Sequence, residues 1–182
     1  HARAYGARFV ALRYFNAAGA DPDLEIGEWH EPETHVIPAI IEAAHGRRRE
    51  FCVYGTDYPT PDGSCIRDFV HVNDIAQAHV LAVKRLERGG ESGIYNISTG
   101  KGCSVFELIK GIRHHVSLEI SVALKERRPG DPPALYANNS RILRELGWSP
   151  EYSAIETIIE TACAWHKKNC QNGSMQQGLH YS

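Results

Sequence analysis

The chain has 182 residues, of which 42% are hydrophobic and 23% are charged, enough for one ordinary globular domain with its own core. Its formal net charge of −2 excludes a global attraction to nucleic acid or to an anionic membrane, so anion binding must depend on local arginines. No apolar run approaches the length of a membrane span, and no signal-peptide pattern is seen.

The cysteines and histidines predict neither disulfides nor a metal centre. The five cysteines are odd in number and include no C-x-x-C pair, which favours reduced, mostly buried thiols and a cytoplasmic location. None of the ten histidines has the spacing of a zinc site, so we predict no bound metal.

The first third of the chain predicts a strand, a loop and a helix. Residues 9–15 (FVALRYF) form an apolar run with little alternation, which is typical of a strand buried on both faces of a parallel sheet. Residues 16–32 are rich in Gly, Asp and Pro and predict a loop. Residues 34–46 carry an apolar stripe that ends at a glycine and predict a helix.

The middle of the chain places a turn-rich loop between extended segments. Residues 51–54 predict a short strand, and residues 55–64, with two prolines, Asp and Gly, predict a compact turn structure. Residues 65–72 predict an extended segment that leads into a helix over residues 73–86, followed by a strand at 94–97.

The last third is predominantly helical. Ser104-x-x-Glu107 and Ser153-x-x-Glu156 are capping boxes, each of which predicts the start of a helix. Between them we predict a strand at residues 120–124 and a short helix at 140–146 that ends at Gly147. Residues 170–182 are polar and predict a disordered tail. Interleaved strands and helices indicate an α/β fold.

Three arginines in loops are the best candidates for ligand contacts. Arg67 follows the turn-rich loop, and Arg127 and Arg128 precede PGDPP, which cannot be helical. Rigidly held guanidinium groups suit bidentate contact with phosphate oxygens, and two of them can neutralise a diphosphate. The alternative is simple salt bridges, Arg67 with Asp68 and Arg128 with Asp131.

Three other features are weaker signals. Asn16 ends an apolar strand, where ligands of α/β sheets bind, although an Asx turn explains it as well. The Gly100-Lys101-Gly102 segment fits neither phosphate-loop pattern. A lone His71 predicts a hydrogen-bonded structural residue. The residues by themselves therefore indicate an α/β domain that binds a small anionic ligand.

Six segments carry a resemblance to a known family. The sequence resembles the UDP-glucose 4-epimerases of the extended short-chain dehydrogenase/reductase family, in which the same segments occur in the same order. The resemblance covers residues 1 to about 169. The segments are LRYFNAAGADP, PETHVIP, YGTDYPTPDGSCIRDFVHVNDIAQAH, YNISTGKGCSV, RRPGDPPA and ELGWSPEYS with the following AIETII and WHKKN.

The resemblance implies an isomerase with tightly bound NAD. Such enzymes interconvert UDP-glucose and UDP-galactose by passing a hydride from C4 of the hexose to the nicotinamide and back to the opposite face. The implied fold is the C-terminal portion of a Rossmann-type sugar-nucleotide epimerase, mainly the substrate-binding domain plus the last strands of the parallel sheet. The implied domains are the end of the NAD-binding domain at residues 1–33 and the UDP-sugar-binding domain at residues 34–169.

The resemblance also implies contacts at the sugar end of the site. Tyr14 lies beside the nicotinamide end of the cofactor, and Asn16 contacts the substrate diphosphate. His35 and Val36 occupy positions of an Asn-Leu pair that touches the substrate, and a histidine there departs from the familiar members of the family.

A second implied group lies at the nucleotide end. Cys52 and Tyr54 lie along the uracil, largely through their backbone, and Arg67 and Arg128 bind the diphosphate. Asp131 accepts hydrogen bonds from the uridine ribose.

The cofactor and catalytic motifs of the family are not found in this chain. The glycine-rich NAD motif is absent, and none of the eight tyrosines has a lysine four positions later. The resemblance implies that roughly the first 150 residues of the enzyme, a domain-sized piece, lie upstream. That piece would hold the NAD site, the catalytic residues and the helices that form the family's homodimer, so we expect this chain to be inactive alone.

Two alternatives remain open at this point. The sugar of the UDP-sugar substrate can be arabinose, xylose or an N-acetylhexosamine. Alternatively, the chain is a UDP-binding module without catalysis, which requires stable folding. We expect poor solubility instead, because the strand at residues 9–15 would expose an apolar sheet edge.

Overall fold

Strands and helices alternate along the chain in the computed structural model, which describes the backbone of residues 2–177 and the side chains of residues 4–170. His1 and residues 178–182 lie outside the described residues. Over residues 2–177 no helix has both the length and the apolar character needed to cross a membrane. The elements in chain order are α1 (Ala2–Tyr5), β1 (Val10–Tyr14), β2 (Asn16–Ala18), α2 (Val36–Ala44), β3 (Phe51–Tyr54), β4 (Ile66–Arg67), β5 (Phe69–His71), α3 (Val72–Glu87), β6 (Gly93–Ile97), β7 (Cys103–Ser104), α4 (Val105–Val116), β8 (Val122–Lys125), β9 (Ala134–Leu135), α5 (Ser140–Leu146) and α6 (Ile155–Gln177).

The strands form small, mostly parallel sheets. β1 pairs with β6, β2 with β5 and β3 with β8, each in parallel. β4 lies between β7, which is antiparallel to it, and β9, which is parallel. Parallel strands joined through helices confirm the predicted α/β class.

Two hydrophobic cores lie on the two sides of this arrangement. The larger core joins α2, β3, α4 and α6, and the smaller one joins α3, β6 and α5 around Trp148. The indole nitrogen of Trp148 donates to the Asp74 carbonyl at 2.8 Å, so this fully buried ring has its polar atom satisfied. The fully buried members of the larger core include Ile40, Val53, Leu108, Ile112 and Ile158.

Local signals in the sequence located several helix ends correctly. The Ser104 side chain accepts from the Glu107 amide and Glu107 accepts from the Ser104 amide, which confirms the first capping box. α5 has the predicted bounds, and Gly147 closes it in the left-handed conformation at φ 68°.

The strand at the start of the chain is less buried than its sequence predicts. β1 has a single paired neighbour, β6, among the described strands, and Phe9 and Tyr14 are 46% and 49% exposed. The burial on both faces that the apolar pattern predicts is therefore wrong for this chain, whereas the expected exposed apolar sheet edge is present. The physical reason is that an apolar run is buried only where a second layer and neighbouring strands cover it. Residues 16–32 also differ from the predicted loop, because their start forms β2.

The last helix differs from its prediction at both ends. The Ser153 hydroxyl accepts from the His71 amide at 2.9 Å and donates to the Asp74 carboxylate, and α6 begins two residues later. The prediction of a capping box at Ser153 is therefore wrong, because Ser153 joins the helix start to α3 and β5 instead. α6 continues to Gln177, past the predicted end near residue 169. The remainder of the predicted tail, residues 178–182, lies outside the described residues.

The thiols are less buried than expected. Cys163 is buried, whereas Cys52, Cys65 and Cys103 are half-buried. Burial raises the pKa of the Cys103 and Cys163 thiols to about 12, which keeps both protonated and unreactive.

One fully buried residue, Asp68, joins three parts of the fold. Its carboxylate oxygens accept from the Ser98 hydroxyl at 2.6 Å, the Thr99 amide and hydroxyl at 3.0 and 2.8 Å, and the Gly100 amide at 3.1 Å. Its carbonyl accepts from the amide and side chain of Asn16 at 3.1 and 2.7 Å. Asp68 therefore fixes the turn after β6 and the start of β2 against the β4–β5 segment.

His71 joins β5 to α6 in a similar way. The imidazole is fully buried, its Nδ1 accepts from the Asn73 amide at 3.1 Å, and its Nε2 lies 3.1 Å from the Thr161 hydroxyl. An Nδ1 that accepts a hydrogen bond requires the neutral ring, with Nε2 donating. The prediction that His71 is a hydrogen-bonded structural residue is confirmed.

We expect Asp68→Asn to lower the free energy of unfolding by about 2–3 kcal/mol, because the amide turns an acceptor oxygen into a donor that faces other donors. Urea unfolding followed by tryptophan fluorescence measures this. Asp23→Asn, at an exposed position, is the matched control and should change the value little. Equal effects of the two substitutions would contradict the role given to Asp68.

We also expect stability to fall as the pH drops below about 6.5. Burial lowers the pKa of His71, and the nearby Asp74 carboxylate only partly opposes this; burial lowers the pKa of His166 as well. The unfolded chain then binds more protons than the folded chain, so the free energy of unfolding rises with pH through this window. Urea unfolding from about pH 5.5 to 7 should show this slope. It should be smaller in His71→Gln and unchanged in His114→Gln, which alters an exposed residue.

Candidate functional site

The loop that follows β3 is held in a fixed shape. Gly55 has φ 81°, and a Cβ at this position would lie 2.4 Å from the Tyr58 ring, so the turn requires glycine. Asp62 accepts from the amide and hydroxyl of Ser64 at 2.9 and 2.8 Å and contacts the Ser104 hydroxyl. Burial acts to raise the pKa of Asp62, but these hydrogen bonds outweigh it and hold the pKa below its ordinary value. The loop is thereby joined to the start of α4.

Arg67 emerges from this loop and binds a distant segment. Its guanidinium donates to the Asp131 carboxylate at 2.8 Å and to the Ile66 and Pro132 carbonyls at 2.8 and 3.0 Å. The side chain is only 15% exposed. The alternative pairs, Arg67 with Asp68 and Arg128 with Asp131, were wrong, because Asp68 faces residues 98–100 and Asp131 is taken by Arg67.

Arg128 lies over an aromatic ring. Its guanidinium carbon is 3.8 Å from the centre of the Tyr54 ring, a cation–π contact. Arg128 is exposed, and among the side chains of residues 4–170 no carboxylate lies within ion-pair distance of it. The neighbouring Arg127 differs, because it lies over Tyr58 and also binds Asp57 at 2.7 Å.

These side chains form one group, which we call the arginine cluster (Tyr54, Arg67, Arg128 and Asp131). The Asp131 amide donates to the Arg128 carbonyl at 3.2 Å, so a tight turn joins the two contacts. The Cys65 thiol lies in the field of both arginines and of Asp131. Burial has the largest effect on it and raises its pKa, so the thiol stays protonated. The cluster thus presents positive charge and hydrogen-bond groups without an activated nucleophile.

Cys52 belongs to the same strand as Tyr54. Phe51 and Val53 are buried in the larger core, and side chains alternate along a strand, so Cys52 and Tyr54 share the opposite face. Both are half-buried. The structure therefore brings Cys52 close to the arginine cluster along β3.

A separate cavity of about 880 Å³ is lined by residues other than those of the cluster. Three predicted residues, Asn16, His35 and Val36, line it. Asn16 also borders a groove of about 520 Å³ together with Tyr14 and Leu135. Leu135 in β9 pairs with Arg67 in β4, and Asn16 binds the carbonyl of Asp68, next to Arg67. Asn16 therefore lies between the cavity, the groove and the arginine cluster.

The sequence did not reveal the aromatic wall of the cavity. Trp29, Trp165 and His166 line it, with the Trp29 and His166 rings stacked 5.9 Å apart. The Trp165 indole donates to the Glu28 carbonyl at 2.8 Å. The sign of this wall in the sequence is Trp29, a tryptophan within the polar loop at residues 16–32.

The predicted site residues thus fall into two neighbouring groups. Asn16, His35 and Val36 belong to the cavity, whereas Cys52 and the arginine cluster belong to β3, β4 and residues 128–131. Tyr14 faces the groove between them. The exposed guanidinium of Arg128 suits an anionic group, and a cavity with aromatic walls suits an apolar or ring-shaped part of a ligand.

The chain is similar to known proteins along most of its length. A model described as the NAD dependent epimerase/dehydratase family matches residues 1–98, more than half of the chain. The UDP-glucose 4-epimerase of Rhizobium meliloti (strain 1021) is 51% identical over 168 residues, which are 92% of this chain and 51% of that protein. The same enzyme from Halalkalibacterium halodurans is 48% identical over 166 residues, 91% of this chain and 50% of that protein.

Solved structures of the same enzymes have a similar fold. The UDP-glucose 4-epimerase from Brucella ovis in complex with NAD superposes with a TM-score of 0.87 at 52% identity, covering 90% of this chain and 50% of its own. The enzyme from Bifidobacterium longum in complex with NAD+ and UDP gives a TM-score of 0.85 at 37% identity, covering 93% of this chain and 50% of its own. The chain thus spans about half the length of the relatives it matches. It belongs to the NAD dependent epimerase/dehydratase family.

Proposed function

We propose that this chain forms the UDP-sugar-binding half of an NAD-dependent 4-epimerase that interconverts UDP-glucose and UDP-galactose. One observation carries the proposal: Arg128, exposed and without an acidic partner among the described side chains, is held on Tyr54, and a tight turn joins it to Asp131, the partner of Arg67. The close relatives that are UDP-glucose 4-epimerases support it. The UDP-sugar-binding domain is then residues 34–169, and residues 1–33, which contribute Asn16, are the end of the cofactor domain.

The two arginines suit the diphosphate of the substrate. The three hydrogen bonds of Arg67 to Asp131, Ile66 and Pro132 use three of the five N–H groups of its guanidinium. Two donors are left for phosphate oxygens. Arg128 lies over the Tyr54 ring and is exposed, so its N–H groups can reach phosphate oxygens. Charge-assisted hydrogen bonds to phosphate are the strongest that such side chains make.

The neighbouring groups suit uridine. One carboxylate oxygen of Asp131 accepts from Arg67, and the other is available to accept from the ribose hydroxyls. Cys52 and Tyr54 follow each other on the outer face of β3 and lie along the uracil. At the other end, Asn16, His35 and Val36 contact the diphosphate and the sugar within the cavity.

The residues of this chain do not make up a complete NAD site. Tyr14, half-exposed at the end of β1, offers one flank for a nicotinamide. The sequence contains neither the glycine-rich motif that holds the pyrophosphate nor a tyrosine followed four residues later by lysine. No chemical step of the epimerisation is therefore assigned to residues of this chain, and its role is to bind and orient the substrate. The intact protein would be a cytoplasmic homodimer, as the family resemblance implies.

We expect Arg128→Ala to weaken UDP binding about 10-fold or more, because a charge-assisted hydrogen bond contributes about 1.5–3 kcal/mol. Isothermal titration of the chain with UDP measures the effect. Arg127→Ala is the matched control, since Arg127 also lies on a tyrosine but is neutralised by Asp57. It should change the affinity less than threefold.

Equal losses in the two variants, or no saturable binding of UDP by the unaltered chain, would contradict the proposal. Competition by UDP-glucose, UDP-arabinose and UDP-N-acetylglucosamine against UDP identifies the sugar. A clear preference for the pentose or the N-acetylhexosamine would favour the alternative 4-epimerases.

A further inference from the structure

Three side chains with metal-binding atoms meet at the rim of the cavity. Glu28, His30 and His35 place one carboxylate oxygen and two imidazole nitrogens within 4.8 Å of one another. The His35 Nδ1 contacts the Glu28 carboxylate, and the His30 Nε2 lies 3.9 Å from the same oxygen. The two rings meet edge to face with their centres 5.1 Å apart.

The backbone that carries these side chains is fixed independently of them. The Glu28 carbonyl accepts from the Trp165 indole at 2.8 Å, and a Cβ on Gly27 would lie 2.4 Å from the same indole. His35 directly precedes α2, and its amide donates to the buried Glu33 carboxylate at 2.7 Å. The fold therefore brings the side chains of Glu28, His30 and His35 together, and no regular spacing in the sequence predicts this.

We propose that Glu28, His30 and His35 form a binding site for a divalent transition metal such as Zn²⁺. Two imidazoles and one carboxylate make up a common ligand set of zinc, with a fourth position left for water or a ligand group. This differs from the prediction of no metal, which rested on sequence spacing alone.

The present distances require only small movements. Zn–N and Zn–O bonds of about 2.0–2.1 Å put tetrahedral ligand atoms ~3.4 Å apart, and the three atoms here span up to 4.8 Å. The His30 and His35 side chains are 55% and 57% exposed, so their rings are free to turn toward a shared ion. Glu28 is less exposed, at 25%, and supplies the fixed point.

Charged side chains of both signs surround the three proposed ligands. The Glu33 carboxylate lies 3.7 Å from the His35 Nδ1, which adds negative charge, whereas Arg47 lies over Trp29 at 5.5 Å and adds positive charge. Glu33 already accepts from the amides of Thr34 and His35, so it stabilises the site without being a ligand.

The choice of metal follows from the ligand atoms. Nitrogen and oxygen ligands without sulfur favour Zn²⁺, Ni²⁺ or Cu²⁺ over softer ions.

Titration of the tag-free chain with ZnCl₂, in competition with a chromophoric chelator, tests the site. We expect one equivalent of Zn²⁺ to bind, and His30→Ala, His35→Asn and Glu28→Gln each to weaken binding at least tenfold. Glu28→Gln keeps the shape of the side chain, so it remains informative if a histidine variant unfolds. Tetrahedral Co²⁺ absorption in the visible region, lost in the same variants, is the second readout.

His114→Ala is the matched control, because His114 is an exposed histidine next to His115 on α4. It should leave the affinity unchanged. The proposal is overturned if His114→Ala weakens binding as much as the site variants do. It is also overturned if any of the three site variants retains full affinity, or if the chain binds no equivalent of Zn²⁺.

Discussion

The buried carboxylate of Asp68 is the contact on which the rest of the site depends. It has no exposed surface, and four donors from residues 98–100 satisfy it. A buried charge is tolerated only when it is saturated in this way, so the turn after β6 has little freedom to move. The Asp68 carbonyl also accepts hydrogen bonds from Asn16, and Asp68 directly follows Arg67 in the chain. One residue therefore sets the positions of a cavity side chain and of a cluster arginine.

Around this fixed point, the site combines rigid supports with exposed donors. Arg67 is held by a carboxylate and two carbonyls, whereas Arg128 lies on Tyr54 without an acidic partner among the described side chains. The cavity rim likewise has both fixed and exposed residues. Glu28 and Glu33 are held by hydrogen bonds, whereas the rings of His30 and His35 are exposed. Pre-organised supports reduce the entropy lost when a ligand or an ion binds.

Local signals in the sequence were reliable where a few neighbouring residues decide the structure. The Ser104 capping box and the glycine after α5 are examples, because both act within one helical turn. Contacts between distant segments were not predictable. Arg67 pairs with Asp131, 64 positions away, rather than with its neighbour Asp68, and Ser153 binds His71 and Asp74 instead of capping its own helix. The cluster of Glu28, His30 and His35 likewise arises only when the loop folds onto α6.

The central claim is that UDP binds where the arginine cluster meets the cavity. Amide chemical shifts of the isotope-labelled chain, recorded during a titration with UDP, test this claim most directly. The account predicts saturable shifts concentrated at Asn16, in β3 and β4, and at residues 127–131. A second cavity, of about 960 Å³, is lined by residues of α4 and of the start of α6. Shifts concentrated there instead, or none at millimolar UDP, would contradict the account.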